Sequence, residues 1–235
     1  MVDMDQVEDG KIELVGPSFE NLPDAAIQLF GGSTDFFSPI GFLNSQIFFL
    51  MLPLLLGMLA INLGSGLLAR EEQDKTIEGL LARPISRTRL LAAKALAGTL
   101  VVLIVTVASL IVTLAVGRLV ELEVGAWLIV QATAVCFLLA ITFGAVACAL
   151  SALGKARVAS LGIATVLALG GYIVSSLSGT VDWLETPSKL LPFHYYQSEA
   201  ILRETYNWAN TLYLFGLCTV LWLISFLAFR ERDLG

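Results

Sequence analysis

Five apolar stretches, each nearly free of charge, recur along this chain and restrict it to one kind of structure. A helix rises about 1.5 Å per residue, so about 20 apolar residues cross the roughly 30 Å hydrocarbon core of a bilayer. The stretches fall at about residues 42–69, 93–117, 127–153, 158–178 and 210–229. Lipid offers no partner to backbone N–H and C=O groups, so a spanning segment must be a helix or part of a closed barrel. The alternating pattern of barrel strands is absent. The expected fold class is therefore all-α, a polytopic transmembrane helical bundle with five spans. The first stretch begins at Gly41-Phe42-Leu43, too late and too long for a cleaved leader. Composition agrees: 57% of the 235 residues are hydrophobic and 14% charged, against roughly 45–50% and 25% in a soluble domain.

Charge sets the expected orientation. The loops that follow the first and third spans, with the C-terminal tail, hold 10 of the 14 Lys and Arg but only 6 of the 20 acids. The opposite side holds the other 4 and 14, with 8 of those acids in residues 1–35. The positive-inside rule places the first group, and the C-terminus, in the cytoplasm. Residues 1–40 then form an external acidic segment, within which Asn21 to Phe30 has the pattern of a short interfacial helix. The formal net charge of −6 describes an external face and implies no nucleic-acid partner. An odd number of spans with an acidic N-terminus outside predicts a missing upstream helix, through truncation or an internal start.

Polar residues inside the spans are few. Cys136, Cys148 and Cys218 have no metal-ligand spacing and read as small buried hydrophobes. Asn62 is expected to hydrogen-bond across helices for about 1 kcal/mol. Pro53 and the Gly64-Ser65-Gly66 run mark possible kinks in the first span. Small residues four apart, at Ala140, Gly144, Cys148 and Ala152 and again at Ser160, Ala164 and Ala168, read as close-packing seams. No acid, Lys, Arg or His occupies the middle of a span, which argues against ion-coupled transport. The loop 179–209 clusters Trp183, Phe193, His194, Tyr195, Tyr196, Tyr206 and Trp208, as suits a headgroup zone. His194 is the only histidine and reads as a packing residue beside Pro192. Ser198 to Arg203 reads as a short interfacial helix.

Between the first two spans lies the densest block of charge, Arg70 to Arg87, with four acids and four bases. Within it Thr76 to Ala82 reads as a short helix with Ile77, Leu80 and Leu81 on one face and Glu78 opposite. Pro84 ends that helix, since a residue before proline is pushed out of helical geometry. Ser86 can then cap a helix carrying Arg87, Arg89 and Lys94 along the membrane surface. A short helix, a fixed break and a basic continuation would make a rigid protrusion. An ordinary solvated loop with basic anchors is the alternative.

The run Glu-Glu-x-x-x-Thr-Ile-Glu-x-Leu-Leu-Ala-x-Pro-Ile-Ser-Arg, Glu71 to Arg87, resembles the signature loop of type-2 ABC transporter permeases. Leu52-Pro53-Leu54-Leu55 with Gly64-Ser65, Leu191-Pro192-Phe193-His194-Tyr195-Tyr196, and the ending Phe229-Arg230-Glu231-Arg232-Asp233-Leu234 resemble further segments of that family, in order. Glu231 stands where the family's ending usually has a basic residue. The likeness runs from about residue 20 to 234.

It implies a permease domain over 41–235, six spans per subunit where five are seen, and two permease subunits paired with two soluble ATP-binding subunits. The cytoplasmic loop 70–92 would seat in the ATPase through Glu71, Glu72, Thr76, Ile77, Glu78, Leu80, Leu81, Pro84 and Arg87. The sequence has no Gly-x-x-x-x-Gly-Lys-[Ser/Thr] run to cradle phosphates. ATP and Mg would therefore be held by the partner, with no cofactor or metal in this chain and no enzymatic activity of its own. The likeness further implies a multi-pass protein of the bacterial inner membrane, exporting a drug-like, lipid-like or peptide substrate. Two other classes stay open. A membrane assembly or sensory protein needs no ATPase. An intramembrane enzyme needs converging polar residues, and Asn62, Gln131 and Thr142 are scattered in sequence.

Overall fold

The computed structural model describes residues 38–73, 87–122 and 124–231. The acidic segment with its expected helix at 21–30 lies outside the described residues, as do positions 74–86.

The first span is composite. A short α1 (Pro39–Leu43) runs into a π-helical segment, Asn44–Met51, and then into α2 (Leu52–Gln73). Ser38-Pro39, which reads as a turn in sequence, starts it: the Ser38 hydroxyl accepts the Gly41 N–H at 3.0 Å and Pro39 fills the first turn. The other long helices are α3 (Arg87–Leu119), α4 (Ala126–Ala152), α5 (Arg157–Leu177) and α8 (Ala209–Glu231). Between α5 and α8, 3-10 turns at Asp182–Leu184 and Pro192–Tyr195 bracket α6 (Glu185–Ser188), and α7 (Ser198–Leu202) follows. Five of the described helices are long and apolar enough to cross a membrane, and no strand occurs among the described residues. The fold is an all-α polytopic bundle.

One expectation needs correction. The basic stretch Arg87 to Lys94 is not a helix separate from the second span but the first part of α3. No Pro or Gly interrupts Arg87 to Ala97, and its Ala and Leu residues are strong helix formers. At 33 residues, α3 is about 50 Å long and outreaches the hydrocarbon core, so its charged end can stand clear of lipid.

The bundle is built around α4, which packs most extensively on α2 and then on α8, with α3 and α5 also against it. The small-residue stripe makes this possible. Ala140, Gly144, Cys148 and Ala152 are all buried. A Cβ on Gly64 would run into the Gly144 carbonyl, and one on Gly144 would lie 3.0 Å from the Ala60 carbonyl oxygen. The two backbones thus touch, as small residues permit in lipid. The three cysteines are free and buried, as expected of packing residues. At the C-terminal end of α4, Gly154 adopts φ 88° while the Lys155 N–H reaches the Leu150 carbonyl at 3.1 Å. This closes the helix with a left-handed residue that glycine takes without strain.

Candidate functional site

The charged block divides in the structure. Glu71 and Glu72 fall in the last turn of α2, and Arg87 opens α3. Thr76, Ile77, Glu78, Leu80, Leu81 and Pro84 lie outside the described residues.

Two cationic hydrogen bonds brace the helices that carry this block. Lys94 Nζ donates to the Leu67 carbonyl at 3.1 Å, tying α3 to α2. Arg157 Nη2 donates to Asn62 Oδ1 at 3.1 Å, tying the start of α5 to α2. The guanidinium passes over Gly66, where a Cβ would be in ordinary contact, 3.7 Å from Arg157 Nε. Asn62 therefore does bond across helices, with a charged partner that its place near the end of the span makes available. These contacts join α2 to both α3 and α5.

The opposite end is organised by Pro53. In the π-helical segment each N–H reaches five residues back, and the Leu52 N–H bonds the Ile47 carbonyl. The next donor in that register would come from residue 53 and serve the Phe48 carbonyl, but proline has no N–H. The Tyr196 hydroxyl supplies it, donating to the Phe48 oxygen at 2.7 Å. Burial pushes the Tyr196 hydroxyl far above its ordinary pKa, so it stays a neutral donor. Two residues on, Ser198 Oγ donates to Asn44 Oδ1 at 2.6 Å. The loop between α5 and α8 is thereby fastened to the start of the first span.

Within that loop, Tyr195 stacks on Tyr213 with centroids 3.8 Å apart and donates its hydroxyl to the Lys189 carbonyl at 2.9 Å. The Tyr206 hydroxyl donates to the Tyr195 carbonyl at 3.1 Å. His194 packs edge-on against Tyr195. Ser188 gives its one proton to the Glu185 carbonyl at 2.8 Å, so at 3.2 Å from His194 Nδ1 its oxygen is the acceptor and Nδ1 the donor. Burial first, then the Lys189 charge, hold His194 below its ordinary pKa. Glu185 lies below the usual carboxylate range because of its hydrogen bond and ion pair with Lys189, 2.8 Å away. The aromatic cluster is thus a packed cap, fastened to the bundle, and not simply a belt of interfacial rings. The one sequence signal for this was Pro53 inside a span: it orphans a carbonyl, and a distant hydroxyl must answer.

Asn62, Gln131 and Thr142, scattered in sequence, do not converge in space either. Asn62 binds Arg157, Thr142 donates to the Leu138 carbonyl one turn back, and Gln131 lies beside Trp127 and Trp208. Among the described residues no three His, Cys, Asp or Glu gather as a metal site.

No curated protein and no solved structure matches the chain. A family model does: that of the ABC-2 family transporter proteins, over residues 5–234. With nearly the whole sequence matched, and with five helices able to cross a membrane, the chain is a multi-pass membrane protein that belongs to the ABC-2 transporter family.

Proposed function

We propose that this protein is the membrane-spanning permease subunit of an ATP-driven ABC transporter, exporting a drug-like, lipid-like or peptide substrate. The observation that carries the reading is the family match over residues 5–234. ATP and Mg reside on a separate soluble ATP-binding subunit, which seats on the 70–92 segment. Closure of the nucleotide sites moves that segment, and α2 passes the movement to α3 and α5 through the Lys94 and Arg157 contacts. A second permease subunit completes the pathway. The charge asymmetry supports a cytoplasmic 70–92 segment and C-terminus and an external segment 1–40; insertion in a bacterial inner membrane is proposed from the family alone.

The test is a mild-detergent pull-down of the C-terminally tagged protein from its native membrane, with mass spectrometry of what stays bound. A near-stoichiometric soluble protein with a phosphate-binding loop is expected. A stable complex without any ATPase would support a membrane assembly or sensory protein instead. With the ATPase in hand, Glu72→Lys, Glu78→Lys and Arg87→Glu combined should abolish transport and permease-stimulated hydrolysis. Retention of both would sink the docking role of this segment.

A further inference from the structure

Two concavities share a wall where the first span meets α5. One is a polar cleft of about 270 Å³ at the end of the bundle that carries the aromatic loop; Asn44, Ser175, Ser176, Gln197 and Ser198 are among its lining residues. That is near the lower limit of small-ligand sites, roughly 300–1,000 Å³. The other is an apolar groove running down the span between Pro53, Leu54, Gly57 and Ile61 on one side and Thr165 and Leu169 on the other. Phe49, Tyr172 and Phe193 belong to both. Their rings touch in sequence, Phe49 to Tyr172 at 5.4 Å and Tyr172 to Phe193 at 5.7 Å, and form the sill between polar and apolar parts.

The cleft holds unmet hydrogen-bonding capacity. Asn44 is fully buried, and although its Oδ1 accepts from Ser198, its Nδ2 is buried with no partner. Ser175 Oγ is likewise buried without one. A buried donor left unmet costs about 1–3 kcal/mol, and Asn44 and Ser175 both line this cleft, so acceptor oxygens admitted there would relieve that cost. Charge narrows the class. Among the described residues neither concavity is lined by Lys or Arg. Burial holds the one imidazole on the cleft, His194, below its ordinary pKa, so a phosphate or carboxylate would enter without a fixed counter-charge. Among the described residues the one carboxylate on the cleft is that of Glu199, which Arg203 engages at 2.9 Å, so an ammonium would have to compete with that ion pair.

We infer that cleft and groove together bind one amphiphile, with a neutral hydroxyl- or carbonyl-bearing headgroup on Asn44 and Ser175 and an apolar chain along Gly57. As a substrate class for the transporter this rests on the permease reading; as a binding site it stands apart from it. The test uses the full chain in an amine-oxide detergent, offered an equimolar mixture of hexadecyl glucoside, hexadecyl phosphate and hexadecyltrimethylammonium, and read by native mass spectrometry. The glucoside adduct should dominate.

Gly57→Leu should remove the adduct by filling the groove, since a Cβ there meets nothing within 4 Å and so points into open space. Ser175→Ala should weaken it about fivefold, the equivalent of one hydrogen bond of about 1 kcal/mol. Asn44→Leu should weaken it at least as much. If that variant does not fold, the other two still decide. Equal retention of the three probes, an adduct that survives Gly57→Leu, or no adduct at all (a cleft that holds only water) would each overturn the assignment. No ATPase enters the measurement, so its failure leaves the permease reading untouched, and failure of the pull-down leaves this site standing.

Discussion

Helices α3 and α4 are both apolar enough to cross a membrane, yet 67% of the apolar window of α4 is buried inside the bundle and only 11% of that of α3. Part of the difference lies in side-chain size along the α2–α4 seam. α4 presents Ala132, Ala140, Gly144, Ala145, Ala147, Cys148 and Ala152 to its neighbours, whereas α3 turns Ile104, Ile111 and Val112 outward, each about 60% exposed or more. In water, apolarity would sort inside from outside. In lipid there is no such gradient, because the tails are as apolar as leucine, and close approach of backbones decides which helices become central.

The sharpest way to break this comparison is to fill the seam. Gly64→Leu would drive its side chain through the Gly144 carbonyl, so α2 and α4 must separate. The expected cost is about 3 kcal/mol or more, at or above the upper end of overpacking. It should appear as loss of a monodisperse, cooperatively melting protein in detergent. A variant that melts like the parent would mean that α4 is not central.

That seam was legible in sequence as small residues spaced by four, and the spans were legible because length and apolarity alone specify them. The π-helical start of the first span was not. It depends on Pro53 and on a tyrosine 148 residues from the carbonyl it serves, and no local pattern joins such a pair. The separate surface helix expected at Arg87 failed for a related reason. Charge marked a change of environment, but the Ala and Leu run kept the helix continuous across it. Of the charged block, the motif was readable, and its ends now stand on α2 and α3.

A second prediction sharpens the comparison at the cap. Tyr196→Phe removes the donor from the buried Phe48 carbonyl and should destabilise by about 1–2 kcal/mol. Pro53→Ala gives residue 53 an N–H able to serve that carbonyl from within the helix. Tyr196→Phe should therefore cost less when Pro53→Ala is already present, a coupling that a double-mutant cycle of melting measurements reads directly. Additive effects would show that proline and tyrosine are not partners.

A smaller effect is expected from pH. His194 is held below its ordinary value of 6.5 in the fold, so the unfolded chain takes up the proton first. Stability should be unaffected by this group above pH 6.5 and should fall as pH drops from there through the folded pKa. Melting temperatures of the parent and of His194→Gln, followed from about pH 7.5 to 5 across the ordinary range of histidine, should diverge only at the acid end. Parallel curves would mean that the histidine is as free in the fold as in the unfolded chain.

The smallest effect belongs to α3, and it tests the comparison from its other side. If its outward face meets only lipid, Ile104→Leu, Ile111→Leu and Val112→Leu exchange one apolar surface for another and should change the melting free energy by less than about 0.5 kcal/mol each, as surface substitutions do. Because no neighbouring side chain in the bundle is overfilled, the three should also add without coupling. A loss of about 2 kcal/mol or more in reconstituted membranes, vanishing on dilution in detergent, would show that a second subunit packs there. The exposed face of α3 would then be a seam between chains, and its bulk would need a complementary surface where α4 needs only glycine.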